Sequence, residues 1–147
     1  MKKVVVFLLL AVVSMVVLTS CGFNDIKIEN YEWQMRSIVH IEDGVAIMDA
    51  TNEGNSAHPE AMIIQMTLTA NDGKLVITDI TNNNIYEGTY SVTKRMLKEI
   101  HYNINIGGTS GIATVAMTTY ADGSREPTLP INLGGYSIYF YCSADGD

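Results

Sequence analysis

Residues 61–80, Ala-Met-Ile-Ile-Gln-Met-Thr-Leu-Thr-Ala-Asn-Asp-Gly-Lys-Leu-Val-Ile-Thr-Asp-Ile, decide the fold. Met62, Ile64, Met66 and Leu68 alternate with Ile63, Gln65, Thr67 and Thr69. A period of two marks a strand with one buried face. Asn71-Asp72-Gly73 then turns the chain, because Gly and Asp tolerate the positive φ that tight hairpins require. Lys74 to Ile80 comes back as the partner strand. The unit is a β-hairpin, and the same pattern recurs on both sides of it.

Upstream, Tyr31, Trp33, Met35, Val39 and Ile41 share one parity, with Glu32, Gln34, Arg36 and His40 on the other. Asp43-Gly44 is a turn dipeptide, and Val45 to Thr51 reads as a return strand. Asn52 to Glu60 is polar and carries Pro59, so it reads as an exposed loop. Downstream, Thr81 to Asn84 turns the chain again, and Ile85 to Thr93 places Tyr86, Gly88, Tyr90 and Val92 on one face. Lys94 to Lys98 has the flavour of a single helical turn. Ile100, Tyr102, Ile104 and Ile106 restore the period of two against His101, Asn103 and Asn105. The glycine-rich residues Gly107 to Gly111 close that strand, and Ile112 to Tyr120 follows. After a loop from Ala121 to Pro127, Leu129 to Leu133 is a short strand whose Pro130 predicts an edge or a bulge. Gly134-Gly135 leads into Tyr136, Ile138, Phe140 and Cys142, interleaved with Ser137, Tyr139 and Tyr141. Ser143 to Asp147 is a polar, acidic tail.

This pattern amounts to about eight or nine short strands with tight turns and no long helix. Neighbour-to-neighbour hairpins predict an all-β, antiparallel up-and-down β-barrel of about eight strands, with a β-sandwich as the alternative. Closure also removes the unpaired edges that an exported sheet would expose.

The first residues set the destination. Lys2 and Lys3 precede Val4 to Val17, a run without a charge, and Leu18-Thr19-Ser20-Cys21 follows. The run is too short to span a bilayer comfortably, and its flanks are those of a secretory signal. Leu-Thr-Ser-Cys resembles the lipobox of bacterial lipoproteins. That resemblance implies cleavage before Cys21 and acylation of its sulfur, usually with acylation of the new amino group. Gly22 stands where lipoproteins kept in the inner membrane carry Asp, so the resemblance implies an outer-membrane address. The expected organisation is a signal peptide over 1–20, a lipidated tether over 21–30 and a single barrel domain over 31–147. Two or more acyl chains hold a protein stably, so the expected partner is the membrane, reached through Cys21.

Removing residues 1–20 leaves seven Lys and Arg against sixteen Asp and Glu, a formal charge of −9. An acidic chain repels phosphate backbones, which argues against nucleic acid and also against a peripheral site for anionic lipid headgroups. Two cysteines are few for an exported chain, so the core must supply stability. With Cys21 lipidated, Cys142 reads as a buried thiol.

Glu87-Gly88-Thr89-Tyr90, together with Pro127-Thr128-Leu129-Pro130 and Tyr136-Ser137-Ile138-Tyr139-Phe140, resembles the small lipocalin-like (calycin-type) lipoproteins. These combine an N-terminal strand bearing Trp, a mid-chain Gly-x-Tyr and a closing aromatic strand. Lipocalins proper place Gly two residues before that Trp, where this chain has Tyr31. They also pack a helix after the last strand, which this sequence does not encode. The resemblance implies a barrel with an apolar cavity, for which Trp33, Met62, Met66, Tyr90, Tyr102 and Phe140 are the candidate lining.

Chemistry-bearing constellations are sparse. His40, His58 and His101 lie in separate segments, without the convergence that a zinc site needs. Gly108-Thr109-Ser110-Gly111 lacks the spacing and the following helix of a nucleophile elbow and reads as a hairpin loop. The carboxylates sit beside glycines in turns, and Asp145-Gly146-Asp147 lacks the remaining ligands of a calcium loop. The expectation is a non-enzymatic cell-envelope lipoprotein without cofactor or metal. It would bind a small apolar ligand in the barrel or an envelope partner at its open end. The alternative is a structural or accessory interaction lipoprotein with a filled core.

Overall fold

The computed structural model describes residues 26–50 and 61–142. Cys21, His58, Pro59 and the acidic tail lie outside them. A 3-10 turn, Ile28–Asn30, precedes ten strands. These are β1 (Trp33–His40), β2 (Ala46–Asp49), β3 (Met62–Ile63), β4 (Met66–Asn71), β5 (Lys74–Asp79), β6 (Asn84–Arg95), β7 (Glu99–Ile106), β8 (Thr109–Thr119), β9 (Arg125–Leu133) and β10 (Tyr136–Cys142). Strands β4 to β10 form an antiparallel meander, and β1 closes it by pairing with β4 on one side and β10 on the other. The fold is the closed antiparallel eight-stranded barrel that the hairpin pattern predicts.

Three connections are two-residue turns with both residues at positive φ: Asp72-Gly73, Gly107-Gly108 and Gly134-Gly135. That geometry matches the twist of the flanking strands. Gly107 and Gly108 alone therefore make their turn, and Thr109–Gly111, expected as loop, belong to β8. At Gly111 a Cβ would run into the carbonyl oxygen of Asn132, so glycine lets β9 approach closely there.

Two departures from strict alternation shape the barrel. Arg36 is an extra residue in β1 against β10, where Met35 pairs with Phe140 and Ser37 with Tyr139. A bulge shifts every later side chain by one place. Ile38 is therefore buried, whereas Val39 is half-buried and Ile41 exposed, contrary to the alternation read from Tyr31. Beyond the bulge, β2 takes the place of β4 beside β1, pairing with residues 37–39 while β4 pairs only with Trp33 and Gln34. The strand expected over residues 61–70 is accordingly split. Met62–Ile63 runs parallel to β2, and Met66–Asn71 joins β5.

The proline strand is also longer than its sequence suggests. β9 spans nine residues between β8 and β10. The β8–β9 register passes from Ala113 opposite Ile131 to Ala116 opposite Thr128, and Pro130 falls in the gap. A missing N–H is tolerated where the ladder already skips. Lys94 and Arg95, read as part of a helical turn, instead extend β6, with Thr93 as an extra residue against β7.

Candidate functional site

The barrel has two ends, and the sequence builds them differently. One end receives the chain from Ile26. The turns at Asn71–Lys74, Arg95–Glu99 and Thr119–Arg125, together with the end of β10, lie there. The other end carries the β1–β2 turn and the turns at Asp79–Asn84, Ile106–Thr109 and Leu133–Tyr136.

The entry end is plugged. Ile28 is fully buried within the barrel core, although residues up to Asn30 read as tether in the sequence. Three aromatic side chains hold the turn in place. The Ile28 backbone N–H donates to Tyr102 Oη at 3.2 Å, and Trp33 Nε1 donates to the Ile28 carbonyl at 2.9 Å. Tyr90 Oη donates to Glu29 Oε1 at 2.7 Å. Burial, and then the Glu29 carboxylate, push the Tyr90 hydroxyl up to about 12. A buried main-chain group must find a partner, and a phenol or indole can bury its ring while offering one polar atom. The plug thus uses the polar handles of residues whose rings fill the interior.

That interior is packed. Trp33, Tyr102, Phe140, Ile28, Leu68, Leu75, Leu129, Ile131 and Val115 are fully buried in one cluster. Side chains buried to this degree pack against neighbours on nearly every side. Tyr90 and Tyr102 meet edge to face, with ring centroids 5.8 Å apart. Of the six residues expected to line a cavity, Trp33, Tyr90, Tyr102 and Phe140 come together in this cluster, and Met66 packs against it. Met62 does not join them. It sits on the short β3 with 56% of its surface exposed, because β2 and β3 leave the barrel wall after the Arg36 bulge. The plug itself carried no periodic signal, since a single isoleucine in a three-residue turn has no pattern.

The far end is lined with apolar side chains that the core does not use. Ile80 and Ile85 flank the β5–β6 turn, and Ile85 is 67% exposed. Met62 and Ile63 lie next to them, since Ile80 N–H donates to the Gln65 carbonyl and Gln65 N–H to Thr81 Oγ1. Across β2, Ile41, Val45 and Tyr136 are exposed as well, with the Ile41 N–H bonded to the Gly135 carbonyl. Large apolar side chains left exposed at one end of a fold commonly mark an interaction site.

Two shallow depressions flank the β1 seam. One of about 310 Å³ includes Gln34, Arg36, Glu126, Tyr141 and Cys142, and one of about 210 Å³ includes Gln34, Ala50, Gln65, Met66 and Ile80. Arg36 lies 5.1 Å from the Tyr141 ring centroid across the first of these. On the outer wall His101 Nε2 lies 2.8 Å from Glu99 Oε1, and its Nδ1 lies 3.2 Å from Thr114 Oγ1. His40 contacts Asp43 at 3.2 Å, and its ring lies tilted against that of Tyr136 with centroids 5.4 Å apart. Among the described residues, no three His, Cys, Asp or Glu side chains converge as a metal site. Ser110 accepts a hydrogen bond from Asn105 Nδ2 on an exposed hairpin. Comparison with protein families, curated proteins and solved structures finds no match to this chain.

Proposed function

We propose that the protein is a cell-envelope interaction lipoprotein: a filled barrel, anchored through acylated Cys21 at its plugged end, that presents the opposite rim to a protein partner. One observation carries this reading. Nine large side chains, each under 2% exposed, pack into one cluster in the interior, while further apolar side chains stand exposed at the end away from the chain entry. A packed interior favours a partner outside the barrel over a small apolar ligand within it. Export to the outer membrane follows from the lipobox resemblance and Gly22, and belongs to the same proposal.

The test is site-specific photocrosslinking in intact cells from position 85 at the rim, with position 112 on the outer wall as control; both are exposed. The reading expects one discrete adduct from position 85 that is lost in Met62→Asp, with none from 112. Equal, diffuse labelling from the two positions would contradict it. Palmitate incorporation by the wild type and by Cys21→Ser alike would sink the anchor.

A further inference from the structure

The β6–β7 hairpin lies at the plugged end and extends past the β4–β5 turn. Val92 pairs with Tyr102, whose hydroxyl holds the plug, and the strands then continue to Arg95 and Ile100. The β4–β5 turn ends at the level of Thr89, the partner of Lys74, so six more residues of β6 reach beyond it. The end of the hairpin reads Val92-Thr93-Lys94-Arg95-Met96-Leu97-Lys98. Leu97 is 80% exposed, the highest value among the large apolar residues described, and Met96 and Val92 are exposed beside it. Three of the seven Lys and Arg that follow residue 20 lie within these five positions, 94–98, with no acid among them. Net acidity argues against anionic headgroups, but the fold gathers positive charge at one tip. The neighbouring β8–β9 turn adds Tyr120, Asp122 and Arg125.

We infer that this tip docks on the membrane surface, with Met96 and Leu97 entering the headgroup–acyl boundary and Lys94, Arg95 and Lys98 meeting lipid phosphates. The occupant is a lipid surface for two reasons. Apolar residues flanked by cations fit an interface that is oily below and anionic above. The chain also enters the barrel at this end. Four residues lie between Cys21 and Ile26, and the five steps across them, at about 3.5 Å each, span at most about 17 Å. An anchor at Cys21, the proposal on which this one rests, therefore brings the hairpin end to the bilayer and leaves the apolar rim facing away. The tip turns attachment through one anchor into an oriented attachment.

The test replaces Leu97 in the full chain with an environment-sensitive fluorescent amino acid. The protein is reconstituted in vesicles of phosphatidylethanolamine and phosphatidylglycerol, part of whose acyl chains carry a bromine quencher. Position 85 is labelled as the control. Docking predicts blue-shifted, quenched emission at 97 and wet, unquenched emission at 85, with quenching at 97 reduced in the triple variant Lys94→Glu, Arg95→Glu, Lys98→Glu. Equal, unquenched emission at both positions, in protein that still sediments with the vesicles, overturns the inference. The intact mass of the same sample reads acylation at Cys21 separately. Its absence defeats the anchor, whereas quenching at 97 without it still supports the hairpin.

Discussion

Replacing Ile28 with alanine isolates the plug, because this residue comes from outside the strands and yet is fully buried among Trp33, Tyr102 and Leu68. Truncating a buried isoleucine costs about 2–5 kcal/mol, the upper part arising where the cavity cannot collapse. A three-residue turn can settle inward more readily than a paired strand, which points to about 2–3 kcal/mol. In a domain of this size that lowers the melting temperature by roughly 6–15 °C. Tyr102→Phe removes the acceptor for the Ile28 N–H and leaves a buried donor unmet, at about 1–3 kcal/mol. Both changes act on one docked element, so the double variant should lose less than the sum. The assay is thermal unfolding of the full chain in mild detergent, followed by far-UV circular dichroism. Trp33, the sole tryptophan, reports on the plug by its emission, since its indole N–H is bonded to the Ile28 carbonyl. Its emission should move to the red in both variants before the barrel melts. A melting temperature for Ile28→Ala within about 2 °C of wild type would refute the reasoning, because the turn would then rest on the barrel without stabilising it.

Other consequences can be checked independently. Tyr90 has its hydroxyl raised to about 12 in the folded state, above the ordinary tyrosine value of 10.0, so the unfolded chain releases that proton first. Its contribution is intact below pH 10 and is lost as pH rises toward 12; Tyr90→Phe should flatten part of this alkaline decline, and an unchanged slope would contradict the assignment. Gly111→Ala forces β9 away at Asn132 and should cost about 1–3 kcal/mol, measured as a shift in the urea midpoint at constant slope. Ile85→Ser, at the exposed rim, should leave stability within about 0.5 kcal/mol of wild type. A large loss there would mean that the rim is packed in the free protein.

Much of the barrel was legible because its hairpins are local. Asp72-Gly73 and Gly134-Gly135 announce turns that need positive φ, and the run Ile100, Tyr102, Ile104, Ile106 buries each of its apolar residues as its period demands. What was hidden depends on neighbours. The Arg36 bulge exists because of pairing with β10 and leaves no mark in the alternation of β1, so Ile38 and Ile41 exchange places. Met62 shares the parity of Ile64 and Leu68 but stands where the strand has already switched partners to β2. Pro130 suggested an edge or a bulge, and it sits inside the sheet where the β8–β9 ladder lapses for two residues. The candidate lining residues other than Met62 were found because large apolar side chains gather indoors whatever the interior is for. Periodicity identifies which side chains face inward, but their volumes and the plug decide whether space remains between them.

Native mass spectrometry of the full chain, released gently from a lipid-rich host, tests the filled barrel most directly. The packed cluster around Trp33, Tyr102 and Phe140 predicts the mass of the acylated chain alone, unchanged by added fatty acids. A discrete further adduct of a few hundred daltons that departs on unfolding, and that is lost when Tyr102 is replaced by a bulkier tryptophan, would contradict it. The barrel would then open to admit a ligand.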